Sequence, residues 1–186
     1  SSQLLGKTDE FSVGPTKREG KRSSMDLTDF QHAELDNQRS QANRADLVRM
    51  MTAAMPEDAS LEPLPGVYLA RRSAPQAPLP GLFKPTLCVI AQGAKEVLLG
   101  DSRYRYDPLH YLLVTLDLPT ITEVVTASPE QPYLSVSIEL SPHLVSAVMV
   151  DLGYTPERKP AAARAIAVSP LDASMLDAVV RLVRVI

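Results

Sequence analysis

Four side chains in the middle of the chain are of types that could contact or react with a small molecule: Cys88, Tyr104, Tyr106 and His110. Cys88 could sense oxidants or electrophiles as a thiolate, although a cysteine in an apolar strand is more often a small buried hydrophobe. His110 follows Asp107-Pro108, where a histidine could bind a ligand but more often satisfies backbone groups at a turn. Tyr104 and Tyr106 share one face of a strand, which leaves open whether they line an interior or cover its outside. We predict these four as ligand-binding residues.

The sequence lacks the motifs of the common enzymatic chemistries. Phosphate-binding loops need Gly-x-Gly-x-x-Gly or Gly-x4-Gly-Lys, so that backbone N–H groups approach the anion, and the eight glycines form neither. Gly-x-Ser-x-Gly, the nucleophile elbow, is also absent. A zinc ribbon needs several Cys or His at short spacing, and the single cysteine excludes one. We therefore predict no catalytic residue, no metal site and no cofactor.

Composition and charge narrow the class of protein. The 186 residues carry 19 basic and 22 acidic side chains, a formal net charge of −3. Phosphate neutralisation needs a clustered basic excess, so this chain is not expected to bind nucleic acid by itself. Trp is absent and aromatic residues make up 5%, which argues against a base-stacking platform. One cysteine excludes a disulfide framework and fits a cytoplasmic protein, and no stretch approaches the ~20 apolar residues of a membrane span.

Short strands are the elements that must position the candidate residues. From Leu82 onward, short apolar runs alternate with turn signals, and Gly100-Asp101 is a two-residue hairpin signal. We predict strands over Leu87–Ala91, Glu96–Leu99, Arg103–Tyr106, Tyr111–Leu116, Ile121–Thr126 and Tyr133–Leu140. In the last of these, Leu134, Val136, Ile138 and Leu140 alternate with Ser135, Ser137 and Glu139. The preceding residues, 56–81, are predicted to be a Pro-rich connection with one possible strand at Val67–Arg71.

Strands of this length and spacing favour a sandwich or barrel, and a small barrel suggests the cupin architecture. Metal-using cupins hold their ion with a His-x-His pair, a Glu shortly after it and a later His. His32, His110 and His143 are dispersed and form no such pair. We therefore expect a metal-free barrel with an apolar interior and a few polar groups, a common form of ligand pocket.

Helices are predicted on both sides of the barrel sequence. Residues 26–55 form a helix that Thr28 or Asp29 can cap and that Pro56 ends. Its core-facing side would carry Leu47, Met50, Met51, Ala54 and Met55. Ser141-Pro142 begins a second helix that runs to about Leu152, with Gly153 as its stop and a loop over 154–168 behind it. Its predicted buried stripe consists of Leu144, Val145, Val148 and Leu152.

A third helix is predicted from Ser169, as N-cap, to the last residue, with Pro170 at its first position. Its apolar stripe consists of Leu171, Met175, Leu176, Val179, Val180 and Val183. Such a stripe must pack on its own barrel, on a missing segment or on a second protomer, because each buried aliphatic side chain contributes about 1.5–3 kcal/mol. A lone stripe does not specify its partner, so own-barrel packing and dimerisation remain about even. The helix ends apolar at Ile186, which suggests a chain cut from a longer one.

The central sequence resembles a known family. The segments that carry the resemblance are Pro80–Lys95 (PGLFKPTLCVIAQGAK), Leu98–Asp101, Tyr104–Pro108, His110–Leu112 and Asp117–Pro119. In order and spacing they resemble the N-terminal domain of AraC-type transcription regulators, over roughly residues 40–186. The resemblance implies a cupin-like barrel, packed by helices, that binds a small effector and often dimerises through those helices. DNA binding in such regulators belongs to a following pair of helix-turn-helix motifs, which this sequence lacks.

Together these observations predict a mainly β chain with flanking helices (α+β), built around a cupin-like double-stranded β-helix barrel. Its predicted parts are a disordered leader or tag over 1–25, a helical segment over 26–56, the barrel with its following helix over 57–168, and the start of a truncated helix over 169–186. The resemblance favours a homodimer through Met175, Leu176, Val179, Val180 and Val183, and a ligand-sensing domain that meets DNA only through the missing part. A small metal-independent cupin enzyme is the alternative.

Overall fold

The computed structural model describes residues 27–154 and 164–186. In this part of the chain there are ten strands and three helices. In chain order they are α1 (Leu27–Ala54), β1 (Ala59–Leu64), β2 (Val67–Arg72), β3 (Leu79–Phe83), β4 (Thr86–Gln92), β5 (Ala94–Leu99), β6 (Ser102–Tyr106), β7 (His110–Val114), β8 (Leu118–Thr126), β9 (Tyr133–Glu139), α2 (Pro142–Asp151), β10 (Ile166–Pro170) and α3 (Ala173–Val185). The predicted leader and most of the predicted loop over 154–168 lie outside the described residues.

The strands form two antiparallel sheets. The six-stranded sheet has the order β1-β2-β9-β4-β7-β10, and the four-stranded sheet has the order β3-β8-β5-β6. The chain crosses from one sheet to the other at Gly93, between β4 and β5, where φ is +86°. A positive φ of this size favours glycine, because a Cβ strains the backbone there. The predicted class, mainly β with flanking helices in a cupin-like barrel, is confirmed.

Several predicted elements are confirmed and others are wrong. The hairpin at Gly100-Asp101 joins β5 to β6, with Leu99 opposite Ser102. The Pro-rich connection, by contrast, also holds β1 and the start of β3, which the sequence interpretation missed. The strand β8 begins at Leu118 rather than at the predicted Ile121, so Pro119 lies inside it. Pro80 is accommodated because β3 is an edge strand that pairs only with β8.

One side of the six-stranded sheet is covered by α1 and α3. A single buried cluster joins residues of both helices to the sheet: Leu47, Met51, Met55, Leu69, Val89, Ala91, Leu134, Val136, Leu176, Val179, Val180 and Val183. The predicted core face of α1 is thus largely confirmed, although Ala54 is exposed. Thr28 and Asp29 lie within α1, so neither is its N-cap, since a capping residue keeps a non-helical backbone.

The helix α3 begins three residues later than predicted. Ser169 and Pro170 end β10, which pairs with β7, and Asp172 caps the helix by accepting a hydrogen bond from the Met175 N–H at 2.8 Å. Both residues belong to the strand rather than to the helix, because Ser169 pairs with Tyr111 in the sheet.

The predicted dimer stripe of α3 packs within its own chain. Leu176, Val179, Val180 and Val183 are buried against α1 and the six-stranded sheet, and Met175 is half-buried at their edge. Own-barrel packing was one of the two even alternatives, and it is the one that the fold adopts. The expectation that these residues form a dimer surface is therefore corrected, because a side chain buried in its own core cannot also face a partner.

The predicted burial of α2 is wrong. Ser141 caps this helix as predicted, accepting from the Leu144 N–H at 3.2 Å. No residue within α2 is buried, however, and Val148 remains 48% exposed. The apolar stripe of α2 therefore faces outward. Its other members, Leu144, Val145 and Leu152, are exposed as well. None of the helices in the described part of the chain has the length and apolar character needed to cross a bilayer.

Candidate functional site

The space between the two sheets holds three of the four candidate residues. A buried cluster there contains Cys88, Ile90, Val97, Tyr106, Leu112, Val114, Val124, Tyr133 and Ile166, with Tyr104 packed against it. Strand alternation explains this placement, because β4 sends Cys88 inward and Val89 outward under the helices. The same alternation turns the serines of β9 inward, so the polar face of that strand points into the barrel.

Cys88 is sealed inside the barrel. Its side chain is 2% exposed, and its sulfur accepts a hydrogen bond from the Ser137 hydroxyl at 3.3 Å. Burial raises the pKa of the Cys88 thiol above its usual value. A reactive sensor thiol needs a lowered pKa and access, so this environment matches the small buried hydrophobe of the alternative interpretation.

The two tyrosines of β6 face inward, which decides the question left open by their spacing. Tyr106 is 1% exposed, and burial raises its pKa well above the usual value. Burial raises the pKa of Tyr133 as well, and the two phenols lie next to the Cys88 thiol. Tyr104 is half-buried at the edge of the same cluster. This group forms the packed floor of the barrel.

His110 lies at the turn before β7. Its Nδ1 is 2.8 Å from Asp107 Oδ1, and its backbone N–H donates to the Asp107 carbonyl at 3.0 Å. Burial raises the pKa of the Asp107 carboxyl, but hydrogen bonds from His110 and Leu109 outweigh it and leave the pKa below its usual value. His110 therefore matches the interpretation of a histidine that satisfies a turn.

Two neighbouring cavities open beside the edge strand β3. The larger has a volume of about 330 Å³ and the smaller about 250 Å³. They share Leu79, Lys95 and Thr122 as lining residues. None of the four predicted ligand-binding residues lines either cavity, so the candidate site lies beside the packed floor rather than within it.

Lys95 stands between the two cavities. It follows the inward alternation of β5, on the same face as Val97 and Leu99, and burial lowers the pKa of its ammonium below the usual value. Its Nζ lies over the Phe83 ring at 5.7 Å from the centroid. Across residues 27–154 and 164–186, no carboxylate lies within 4.0 Å of this Nζ. The site thus contains a partly desolvated cation that only an aromatic face compensates.

Two threonines line the larger cavity together with Lys95. Thr120 and Thr122 project from β8 on the same face as Val124, and both line the larger cavity. The Thr120 Oγ1 is buried and has no hydrogen-bond partner among the described residues. A buried hydroxyl without a partner costs about 1–3 kcal/mol, so a ligand that supplies one gains that energy.

The remaining charges sit at the two ends of the site. At the larger cavity, Glu139 and Lys84 form a rim pair with 3.9 Å between Oε1 and Nζ. At the smaller cavity, Arg72 donates from Nε to Gln76 Oε1 at 3.2 Å, and Gln76 lines that cavity. The Arg72 charge also lowers the pKa of Lys95, after burial, so the two cations interact.

Sequence reasoning overlooked Lys95, although a signal was present. The predicted strand Glu96–Leu99 began two residues too late, which left Lys95 outside the alternation that would have placed it inward. Side chains two residues apart in a strand point to the same face, so a lysine in register with Val97 and Leu99 indicates a charge that points inward. Arg72, Thr120 and Thr122 carried no such local signal, because their position depends on how the two sheets meet.

Residues 63–186, well over half of the chain, match the family model of the AraC-type transcriptional regulator N-terminus. The chain belongs to this family. It is therefore a regulatory domain of the AraC type, and the resemblance of the central motifs is confirmed. A search of curated protein sequences finds no match.

Solved structures of ToxT from Vibrio cholerae are similar to this AraC-type domain at low identity. One is 12% identical, over 63% of this chain and 46% of that protein, with a TM-score of 0.44. Another, with bound unsaturated fatty acid, is 9% identical over 70% of this chain and 48% of that protein, with a TM-score of 0.46. The AraC-type domain thus spans about half the length of these solved proteins.

The described residues of the AraC-type domain form no group of metal ligands. Throughout the described ranges, no three His, Cys, Asp or Glu side chains are grouped so that they could hold a metal ion. Glu139 lines the larger cavity alone among carboxylates, and the rim pair with Lys84 occupies it. The larger cavity is thus lined by Lys95, the Lys84–Glu139 pair, threonine hydroxyls and apolar side chains.

Proposed function

We propose that this domain senses a small effector for an AraC-type regulator and that the effector binds in the paired cavities around Lys95. The observation that carries the proposal is the half-buried Lys95 side chain, which lines both cavities and has no described carboxylate partner. An uncompensated charge in such a place costs stability, so it is retained where it performs a function. The larger cavity, at about 330 Å³, lies within the range of small-molecule sites.

Strand β9 offers a route from the site to the rest of the domain. Glu139 lines the larger cavity, and the same strand presents Leu134 and Val136 to the helices α1 and α3 on its other face. The helix α2 begins directly after it, capped by Ser141. A ligand that shifts β9 therefore acts on all three helices, which suits a domain that reports binding to its neighbours.

Membership of the AraC-type family suggests how the rest of the regulator acts. DNA is contacted by a part of the parent protein outside this sequence, and the domain works in the cytoplasm, where that DNA is. It acts by binding and does not turn its ligand over. A metal-independent cupin enzyme is the competing function, and chemical change of a bound ligand would favour it.

Self-association is proposed through α2, with a second copy of this chain as the partner. Leu144, Val148 and Leu152 are 45%, 48% and 78% exposed and follow one another at intervals of about one turn, and burial against another copy would remove them from water. The helix has no Lys or Arg, and its one acidic residue, Asp151, is its last. Antiparallel pairing separates the two Asp151 carboxylates, so the interface avoids like-charge contact.

Sedimentation equilibrium tests this interface. The wild-type chain should be mostly dimeric at about 100 μM, since micromolar affinity suffices there. Val148→Ser should shift it to monomer, whereas Val150→Ser, on the opposite side of the same helix, should not. A monomeric wild type at that concentration, or equal behaviour of the two variants, would contradict the proposed interface.

The binding proposal is tested by a thermal-shift screen of small molecules followed by calorimetry on the hits. We expect at least one class of compounds to stabilise the wild type by several degrees without being consumed. Lys95→Met should lose that stabilisation. Arg49→Met, which removes an exposed cation on α1, is the matched control and should retain it. A compound that binds Lys95→Met as tightly as it binds the wild type would show that the effector site lies elsewhere.

A further inference from the structure

We propose that Gly81 and Thr120 form a subsite of the larger cavity for an uncharged aromatic ring that carries a hydrogen-bonding oxygen. This subsite deepens the proposed function and rests on it, because it names the class of effector and the residues that select it. Gly81 of β3 pairs with Thr120 of β8 in the four-stranded sheet, and both residues line the larger cavity.

Neither backbone conformation nor close packing requires the glycine at position 81. Its φ lies outside the left-handed region that favours glycine, and a Cβ built on it would meet no atom of the described chain within 4 Å. Glycine weakens a strand, and it often marks a place where a ligand approaches the backbone closely. Gly81 shares the inward face of β3 with Leu79 and Phe83, so the missing side chain leaves the backbone open to the cavity.

The surroundings of this opening suit a flat aromatic ring. Residues two apart in a strand are spaced by ~7 Å, so Leu79 and Phe83 flank Gly81 and leave room for a ring between them. Lys95 favours an aromatic ring over a saturated one. Its Nζ lies 5.7 Å from the centroid of the Phe83 ring, and a ligand ring at Gly81 would offer a second π face to the ammonium.

Thr120 sets the polar requirement. It is 5% exposed, and its Oγ1 has no hydrogen-bond partner in the part of the chain that the structure describes. A hydroxyl both donates and accepts, so an oxygen on the ligand ring would satisfy it. The ligand needs no charge for this contact. Among the described residues, Glu139 is the one carboxylate that lines the cavity, and it pairs with Lys84 at the mouth.

Three small probes separate these requirements by isothermal titration calorimetry on the full chain. p-Cresol has a flat ring and a hydroxyl, p-xylene replaces the hydroxyl by a methyl group, and 4-methylcyclohexanol keeps the hydroxyl on a puckered ring. We expect p-cresol to bind at least about tenfold more tightly than either of the others. Equal binding of p-xylene would overturn the polar contact, and equal binding of 4-methylcyclohexanol would overturn the aromatic class.

Two variants locate the subsite. Gly81→Val should weaken p-cresol binding at least about tenfold without lowering the melting temperature, since its Cβ meets open space. If valine does lower the melting temperature, the smaller Gly81→Ala takes its place in the comparison. Thr120→Val removes the hydroxyl at nearly constant volume and should abolish the preference for p-cresol over p-xylene. Thr126→Val, at the exposed end of the same strand, is the matched control and should change neither affinity.

Failure of the subsite and failure of the proposed function give different results. If Lys95→Met weakens p-cresol binding while Gly81→Val and Thr120→Val do not, the subsite is wrong and the proposed site stands. If p-cresol does not bind at about 1 mM, the inference is wrong. If, in addition, the hits of the small-molecule screen bind Lys95→Met as tightly as the wild type, the proposed site fails with it.

Discussion

The two faces of the six-stranded sheet are built from the same strands and behave differently. The outer face is apolar and sealed, with Val89, Leu134 and Val136 packed under α1 and α3. The inner face carries Cys88, Ser135 and Ser137, and beyond them the cavities around Lys95. Packing on the outer face stabilises the domain, whereas the polar groups and cavities on the inner side lower its stability. The comparison indicates where a substitution destroys the fold and where it removes only binding.

The largest expected effect is on the outer face. Val179→Asp places an unpaired charge at a position 3% exposed, between α1 and the sheet, and should cost more than about 4 kcal/mol. We expect loss of cooperative thermal unfolding by circular dichroism. Val185→Asp, on the same helix at a residue 79% exposed, should stay within about 0.5 kcal/mol of the wild type. If the Val179→Asp variant instead folds normally and is monomeric, the α3 stripe would be a dimer surface.

The next effect is expected where the chain passes from one sheet to the other. In Gly93→Ala the new Cβ would lie 2.5 Å from the Thr126 carbonyl oxygen and 3.0 Å from the Tyr133 Cα. Backbone atoms cannot move away cheaply, so we expect a loss of about 2–4 kcal/mol by urea denaturation. Gly100→Ala shares the positive φ but meets open space, and should cost only about 1 kcal/mol. Similar losses for the two variants would show that the crossing is not tightly packed.

The cavity beyond the inner face, which Lys95 lines from the four-stranded sheet, is expected to respond in the opposite direction. Lys95→Met removes a partly desolvated charge without a described carboxylate partner, so the free energy of unfolding should rise by about 1 kcal/mol at pH 7. A loss of stability instead would mean that the Lys95 charge is compensated within the fold.

The pH dependence of that gain checks its cause. The folded state holds the pKa of Lys95 below the ordinary value of 10.5, so the unfolded chain binds more protons between the two values. The wild type should therefore gain stability as pH rises through that interval, and the advantage of Lys95→Met should shrink. A difference between the two proteins that does not change with pH would point to packing rather than charge.

The smallest effect is expected on α2, which belongs to neither face. Val148→Ser at an exposed position should change the free energy of unfolding of the monomer by less than about 0.5 kcal/mol in dilute solution. A loss above about 2 kcal/mol at low concentration would show that α2 packs against its own chain.

Local patterns predicted much of the fold. The hairpin at Gly100-Asp101, the cap at Ser141 and the alternation of β9 all depend on neighbours a few residues apart, and all are confirmed. The start of α3 was misplaced, because Ser169-Pro170 matches a helix start locally while pairing with β7 wins in the fold. Of the predicted site residues, Cys88 and Tyr106 do lie in the barrel interior, but the cavities lie beside them.

Periodicity by itself determined that α2 and α3 each carry an apolar stripe and that β9 has one apolar and one polar face. Only the tertiary structure decided that the α3 stripe is buried, that the α2 stripe is exposed, and that the polar face of β9 points inward. It also decided that Lys95 and Thr122 line one cavity, although 27 positions separate them in the sequence. The physical reason is that amphipathicity states which side chains avoid water, whereas the partner that shields them is set by sheet pairing between distant segments.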